Sequence, residues 1–214
     1  MSDYVSQTID VYNAIASSYA KQALQHGPGI QRRHFCSLIP KRGKILDVGC
    51  GSGRDCAYFV KKGFETVGVD LSDKLLEIAQ KEVAKATFLK QDIRNLSFPP
   101  NFFDGIWSCA SLLHIKHKDI PETLRSWFSV PKPSGILFIH VKKVHVKQGE
   151  EEVEREDLSV PGVKRLFSLF SKEQLRMYCE QAGFIVITCD EILSTSFDKN
   201  DERSIRVDCW AKKI

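Results

Sequence analysis

Residues 44–54 restrict the fold of this chain more than any other stretch: Lys44-Ile45-Leu46-Asp47-Val48-Gly49-Cys50-Gly51-Ser52-Gly53-Arg54. Ile45, Leu46 and Val48 make a short apolar run with β-branched members, the pattern of a strand buried on both faces. Three glycines at alternate positions follow. They let the backbone turn sharply and bring its N–H groups close to a ligand that a Cβ would hold off. Residues 54–62 then read as a helix, with Cys56, Ala57, Phe59 and Val60 inward and Gly63 as its stop. Strand, glycine loop and helix make a nucleotide-binding βα unit.

The spacing says which nucleotide. A dinucleotide fingerprint, G-x-G-x-x-G, needs its third glycine one residue later and a small residue where this chain has Arg54. A P-loop needs Gly-Lys-Ser/Thr after the glycines, and none is present. Asp47 puts a carboxylate at the start of the loop, which repels a pyrophosphate but suits a cationic ligand. About 20 residues on, the strand Thr66-Val67-Gly68-Val69 ends in Asp70, placed to accept hydrogen bonds from ribose hydroxyls. An adenosine without phosphate and carrying a positive charge describes S-adenosylmethionine.

Asp47-Val48-Gly49-Cys50-Gly51-Ser52-Gly53 followed by Val69-Asp70-Leu71-Ser72 resembles the class I S-adenosylmethionine-dependent methyltransferases. The resemblance implies an α/β, Rossmann-like fold: a seven-stranded, mostly parallel sheet with helices on both faces and the last strand antiparallel. It also implies the cofactor contacts: Asp47, Gly49, Cys50, Gly51 and Gly53 from the loop, and Asp70 and Leu71 from the second strand. Asp92 would bind the adenine amino group, with the Ile93 N–H on a ring nitrogen; the alternative for Asp92 is a capping or turn role. Ser108 stands at the end of the fourth strand. From an N-terminal helix over the cleft, Tyr12 or Tyr19 would touch the methionine part, or else pack against the domain.

At 214 residues and 43% hydrophobic, the chain can bury one core and reads as a single domain, residues 1–214. Within it, residues 1–40 form a helical lid or cap and residues 142–170 a substrate-side insertion with an acidic run that reads as solvated. No stretch approaches the ~18 apolar residues of a membrane span, and no signal peptide opens the chain. Seven cysteines without a C-x-x-C argue against a disulfide framework or a zinc site, which places the protein in a cytoplasm. A net charge of +4 falls short of a nucleic-acid-binding face. The expectation is a monomer with no membrane partner.

Along the rest of the chain, Ser72 and Asp73 open a helix, and Phe103-Asp104-Gly105-Ile106-Trp107-Ser108 is the fourth strand. Pro121 opens another helix, and Lys132-Pro133-Ser134-Gly135 is the turn into strand 136–141. Ser171 with Gln174 makes a capping box for the helix that follows.

Methyl transfer from a sulfonium needs alignment of the acceptor, exclusion of water and, for weak nucleophiles, removal of a proton; no metal is needed. His114, just beyond the fourth strand, is the first candidate base, against a packing role beside Leu112, Leu113 and Ile115. His140 and His145 stand in reserve, and His117 reads as exposed. The leading expectation is methylation of a small-molecule nucleophile, leaving S-adenosylhomocysteine. The alternatives are a tRNA wobble-uridine-type methyltransferase, faintly resembled by residues 110–115 and 165–170, and a non-catalytic cofactor-binding partner subunit.

Overall fold

Alternation along the strands decides where each side chain goes. In β1 (Lys44–Val48) Leu46 and Val48 face one layer, and Ile45 faces the other. In β4 (Phe103–Cys109) Ile106 joins the first layer and Trp107 the second. All five are fully buried. This is what a central strand covered on both faces requires. The computed structural model describes residues 3–25, 27–143, 151–157, 160–193 and 205–214.

The remaining strands are β2 (Glu65–Asp70), β3 (Thr87–Lys90), β5 (Pro131–Lys142), β6 (Glu152–Asp157), β7 (Val160–Ser168), β8 (Ile185–Leu193) and β9 (Ile205–Lys212). Seven of the nine build one sheet in the order β3-β2-β1-β4-β5-β9-β8. Strand β9 runs antiparallel to both neighbours, while the other pairings are parallel. The expected Rossmann-like sheet with an antiparallel last strand is therefore present. Its order reverses between β1 and β4, which opens a crevice at their carboxyl ends, where α/β sheets hold ligands.

The helices are α1 (Asp3–Gln25), α2 (Gly29–Leu38), α3 (Arg54–Lys61), α4 (Asp73–Glu82), α5 (Ile120–Ser129) and α6 (Lys172–Gln181). Leu124 and Trp127 of α5 and Leu175 and Cys179 of α6 pack on one face of the sheet. Phe35 of α2 and Phe59 of α3 pack on the other, around Trp107 stacked on Phe138 at 4.3 Å. The local signals are realised as hydrogen bonds. Ser72 Oγ accepts from the Leu75 N–H, and Ser171 and Gln174 form the reciprocal capping box.

Within residues 142–170, Glu152–Asp157 pairs antiparallel with Val160–Ser168 as a separate two-stranded ribbon, a strand pairing that the sequence reading did not include. Alternation reconciles it with a solvated acidic run. Val153 packs toward Phe167 and the core while the glutamates on either side point outward, so a charge-rich string still has one apolar face. His145 and Glu150 lie outside the described residues.

The turn into β5 carries a cost. Ser134 sits at φ +64° and donates its N–H to the Lys213 carbonyl at 2.9 Å. A side chain in the left-handed region is disfavoured by about 1–2 kcal/mol, partly offset in glycine by its floppier unfolded chain. Ser134→Gly is therefore expected to stabilise the protein by roughly 0.5–1 kcal/mol, read as a higher urea midpoint at unchanged slope.

Candidate active site

At the crevice the chain turns from β1 into α3 through Gly49, Gly51 and Gly53, all at positive φ. Gly49 is demanded by its neighbour: a Cβ there would stand 2.2 Å from Ser111 Cβ. The Ser111 hydroxyl donates to the Val48 carbonyl at 2.6 Å and bonds Ser108 Oγ at 2.8 Å, which fixes the end of β4 against the loop. The Asp70 carboxylate fixes the loop from the other side. Its Oδ2 accepts from the Gly51 N–H and its Oδ1 from the Ser72 N–H, both at 2.9 Å. Burial pushes the Asp70 carboxyl above its ordinary range, and these backbone donors pull it back.

The resulting cleft encloses about 700 Å³, including solvent at its mouth. Nine of the residues expected from sequence line it: Tyr12, Tyr19, Gly49, Gly51, Asp70, Leu71, Asp92, Ile93 and His114. Four do not. Asp47 is buried behind the loop and accepts from the Cys56 thiol at 3.2 Å; burial, reinforced by nearby Asp55, pushes its carboxyl well up. Cys50 is turned toward Gly68, Gly53 lies against Ala79 and Phe88, and Ser108 is buried on Ser111. These four shape the loop from behind it.

Asp92 faces the cleft in a double role. Arg94 grips its carboxylate through Nε at 3.0 Å and Nη2 at 2.5 Å, and the Arg94 N–H caps it at 2.9 Å. Against the cost of burial, those bonds hold Asp92 below the usual carboxylate range. The turn role is thus present whatever else Asp92 does. Ile93 is anchored by the Trp127 indole, which donates to its carbonyl at 2.6 Å.

Helix α1 covers the cleft. Val5, Thr8, Ile9, Tyr12 and Tyr19 come from it, and the first three were not foreseen, since an amphipathic stripe does not say what it covers. Tyr4, Val5 and Ile9 pack on Leu71 and on Leu166 of β7. Asn13 accepts from the Ser72 hydroxyl at 2.7 Å. Tyr12 OH meets His114 Nε2 at 2.9 Å, and His114 Nδ1 donates to the Leu166 carbonyl at 2.7 Å. With Nδ1 donating, Nε2 accepts from Tyr12, so both ring nitrogens are in use. Burial, with Arg165 and Lys142 nearby, lowers the His114 pKa to about 4. As placed here, His114 is a neutral clamp between α1 and β7.

Of the other histidines, His117 departs from its exposed reading: it is half-buried, tilted against Phe170, with Nε2 close to the Leu169 carbonyl at 3.1 Å. His140 bonds Asp208 at 2.6 Å and lies outside the cleft. Among the described residues no cluster of His, Cys, Asp and Glu could hold a metal ion, and no helix is long and apolar enough to cross a membrane.

Comparison with known proteins agrees with this geometry. The family model described as "Methyltransferase domain" matches residues 45–135. YqeM of Bacillus subtilis, a provisionally assigned methyltransferase, is 37% identical over 137 residues, 61% of this chain and 55% of its own. Phosphoethanolamine N-methyltransferase of Plasmodium falciparum is 32% identical over 105 residues, 47% of this chain and 40% of its own. The chain thus spans about half the length of the curated relatives it matches. A solved structure of a SAM-dependent methyltransferase from Methanosarcina mazei superposes with a TM-score of 0.76 at 17% identity, over 85% of this chain and 97% of that one. At that identity it speaks for the fold.

Two outcomes follow from the geometry. Asp70→Ala should lower the melting temperature of the ligand-free protein, at a cost of about 1.5–3 kcal/mol for bonds to a charged acceptor. An unchanged melting temperature would show that the two N–H groups find other partners. For His114 the folded pKa lies below the unfolded value of about 6.5, so the unfolded chain binds more protons between the two. Stability is then full above about pH 6.5 and falls as pH drops toward 4. The wild type should lose up to about 3 kcal/mol more than His114→Gln between pH 7 and 4, checked by paired urea titrations.

Proposed function

We propose that this chain, which belongs to the class I S-adenosylmethionine-dependent methyltransferases, binds S-adenosylmethionine in the cleft and transfers its methyl group to a small-molecule nucleophile, releasing S-adenosylhomocysteine. The observation that carries the reading is the convergence, in one covered cleft, of the glycine loop, the Asp70 strand end and the Asp92–Ile93 turn. The loop supplies close-approach backbone, Asp70 supplies acceptor lone pairs toward a ribose, and Asp92–Ile93 supplies an edge for a purine. The neutral thioether leaves without help, so the protein's work is alignment and exclusion of water.

The cover supports a small acceptor. Helix α1 and β7 close over the cleft through the apolar contact of Tyr4, Val5 and Ile9 with Leu166. In this reading the described residues act as one methyltransferase domain, with α1 within residues 1–40 and the ribbon within 142–170 as its lid. The Tyr12–His114 bond is the latch of that lid. The seven free thiols, five of them buried, suit a reducing cytoplasm.

Calorimetry on chelator-treated protein tests the reading: both S-adenosylmethionine and S-adenosylhomocysteine should bind. Heat only with a nicotinamide dinucleotide would overturn it. With labelled cofactor and a cell extract, the label should pass to the small-molecule fraction; label in RNA would overturn the acceptor class. Tyr12→Phe should speed release of S-adenosylhomocysteine by about 2–10-fold, the worth of one neutral hydrogen bond.

A further inference from the structure

The positive charge of the chain is gathered in one segment. Residues 27–64 carry eight lysines and arginines against two acids, Asp47 and Asp55, in a chain whose total is only +4. Both acids are buried, so the surface of this segment presents positive charge alone. Among the described residues, Arg33, Lys41, Arg42, Lys61 and Lys62 enter no ion pair.

Helix α2 shows how the face is built. Phe35 points into the core, while Ile30, Arg33, His34, Ser37 and Leu38 are exposed at the i, i+3, i+4, i+7, i+8 spacing of one helix side. The solvent side of such a helix is ordinarily polar, yet Ile30 is 70% exposed and Leu38 39%. Lys41 and Arg42 follow in the turn to β1, and Lys61 and Lys62 close α3. Tyr58 of α3 joins the two helices into one surface, with the Arg32 guanidinium 4.7 Å and the Lys62 ammonium 5.7 Å from its ring.

Charge alone would suit any polyanion, and the apolar side chains choose between them. Single-stranded nucleic acid is held by stacking bases on exposed aromatic rings. Among the described residues every well-exposed large apolar side chain is aliphatic or methionine. Aliphatic side chains set among lysines and arginines are instead the composition that settles at lipid headgroup level, where the chains reach the acyl boundary and the cations meet phosphates.

We infer that this face docks the protein reversibly on the surface of an anionic phospholipid bilayer. Ile30 and Leu38 enter the headgroup layer, and Arg33, Lys41, Arg42, Lys61 and Lys62 lie against lipid phosphates. No spanning helix is needed for such a contact. None of these residues lines the cofactor cleft, so docking leaves that cleft open to its ligand.

Co-sedimentation of the full chain with vesicles tests the inference. Vesicles of two parts phosphatidylcholine to one part phosphatidylserine should carry the protein down, and pure phosphatidylcholine should not. The double variant Arg33→Gln/Lys61→Gln should weaken binding about 25-fold, each charge being worth about fivefold at such a surface. Ile30→Ser/Leu38→Ser should weaken it roughly tenfold or more. Both variants should keep the wild-type melting temperature and S-adenosylhomocysteine affinity, since the altered side chains are exposed and outside the cleft. Absence of sedimentation with the anionic vesicles overturns the inference, and so does vesicle binding that ignores either pair of substitutions. Binding of single-stranded RNA that exceeds vesicle binding and survives Ile30→Ser/Leu38→Ser would assign the face to nucleic acid instead.

Discussion

One carboxylate holds the two halves of the cleft at their spacing. The glycine loop is tied to the end of β2 by the Gly49 and Cys50 N–H groups on the Val69 carbonyl, which leaves the Gly51 N–H, like the N-terminus of α4, to be met. Asp70, at the carboxyl end of β2, takes one N–H from each. An ionised carboxylate offers about four lone-pair sites, so two bonds to the protein leave capacity for ribose hydroxyls. The same side chain can therefore build the floor of the site and contact what lies on it. Because β2 is a rigid interior strand, the floor inherits the precision of the sheet.

That double role also explains what the sequence could and could not disclose. The βα unit was legible because its signals are local: a buried apolar run, glycines at turn positions and a helix stop fall within about 20 residues. The seven-stranded, mostly parallel sheet with its antiparallel last strand followed from the family resemblance those residues carry. Side-chain partnerships were less visible. Nothing near His114 reveals that Tyr12, 102 residues earlier, would occupy its Nε2, or that β7 would take its Nδ1. His117, between two lysines, looked exposed, yet its ring sits among the carbonyls and aromatics of the ribbon and α6. Asp92 could be read as a ligand or a turn residue, and Arg94 two positions on makes it at least the latter.

The β6–β7 ribbon was hidden for a different reason. A strand is recognised by alternation, and in Glu152–Asp157 only Val153 breaks a charged string. Pairing with the apolar residues of β7 supplies the face that β6 cannot provide alone. Burial of Leu166 and Phe167 there ties the ribbon to α1 and to His114, so an element with little strand signal of its own becomes part of the roof.

Arg54 explains a departure that the sequence only registered. Where a dinucleotide fingerprint has a small residue, this chain opens α3 with an arginine whose guanidinium grips Asp55 at 2.6 and 3.0 Å. Arg32 and the Trp107 indole bond the same carboxylate at 3.0 Å each. Burial opposes the charge on Asp55, but Arg54 and Arg32 hold its carboxyl below the usual range. The first turn of α3 thus already contains a fixed anion that satisfies the helix dipole. A pyrophosphate arriving there would meet that anion, and drawing Arg54 away would leave a buried carboxylate short of a partner, at a cost on the order of 3–5 kcal/mol. Asp47, buried behind the same loop with its carboxyl pushed well up, adds no comparable charge. The first turn of α3 is therefore closed to a phosphate because its donors and its dipole are already answered from within the protein, a selection made by groups that the ligand need never touch.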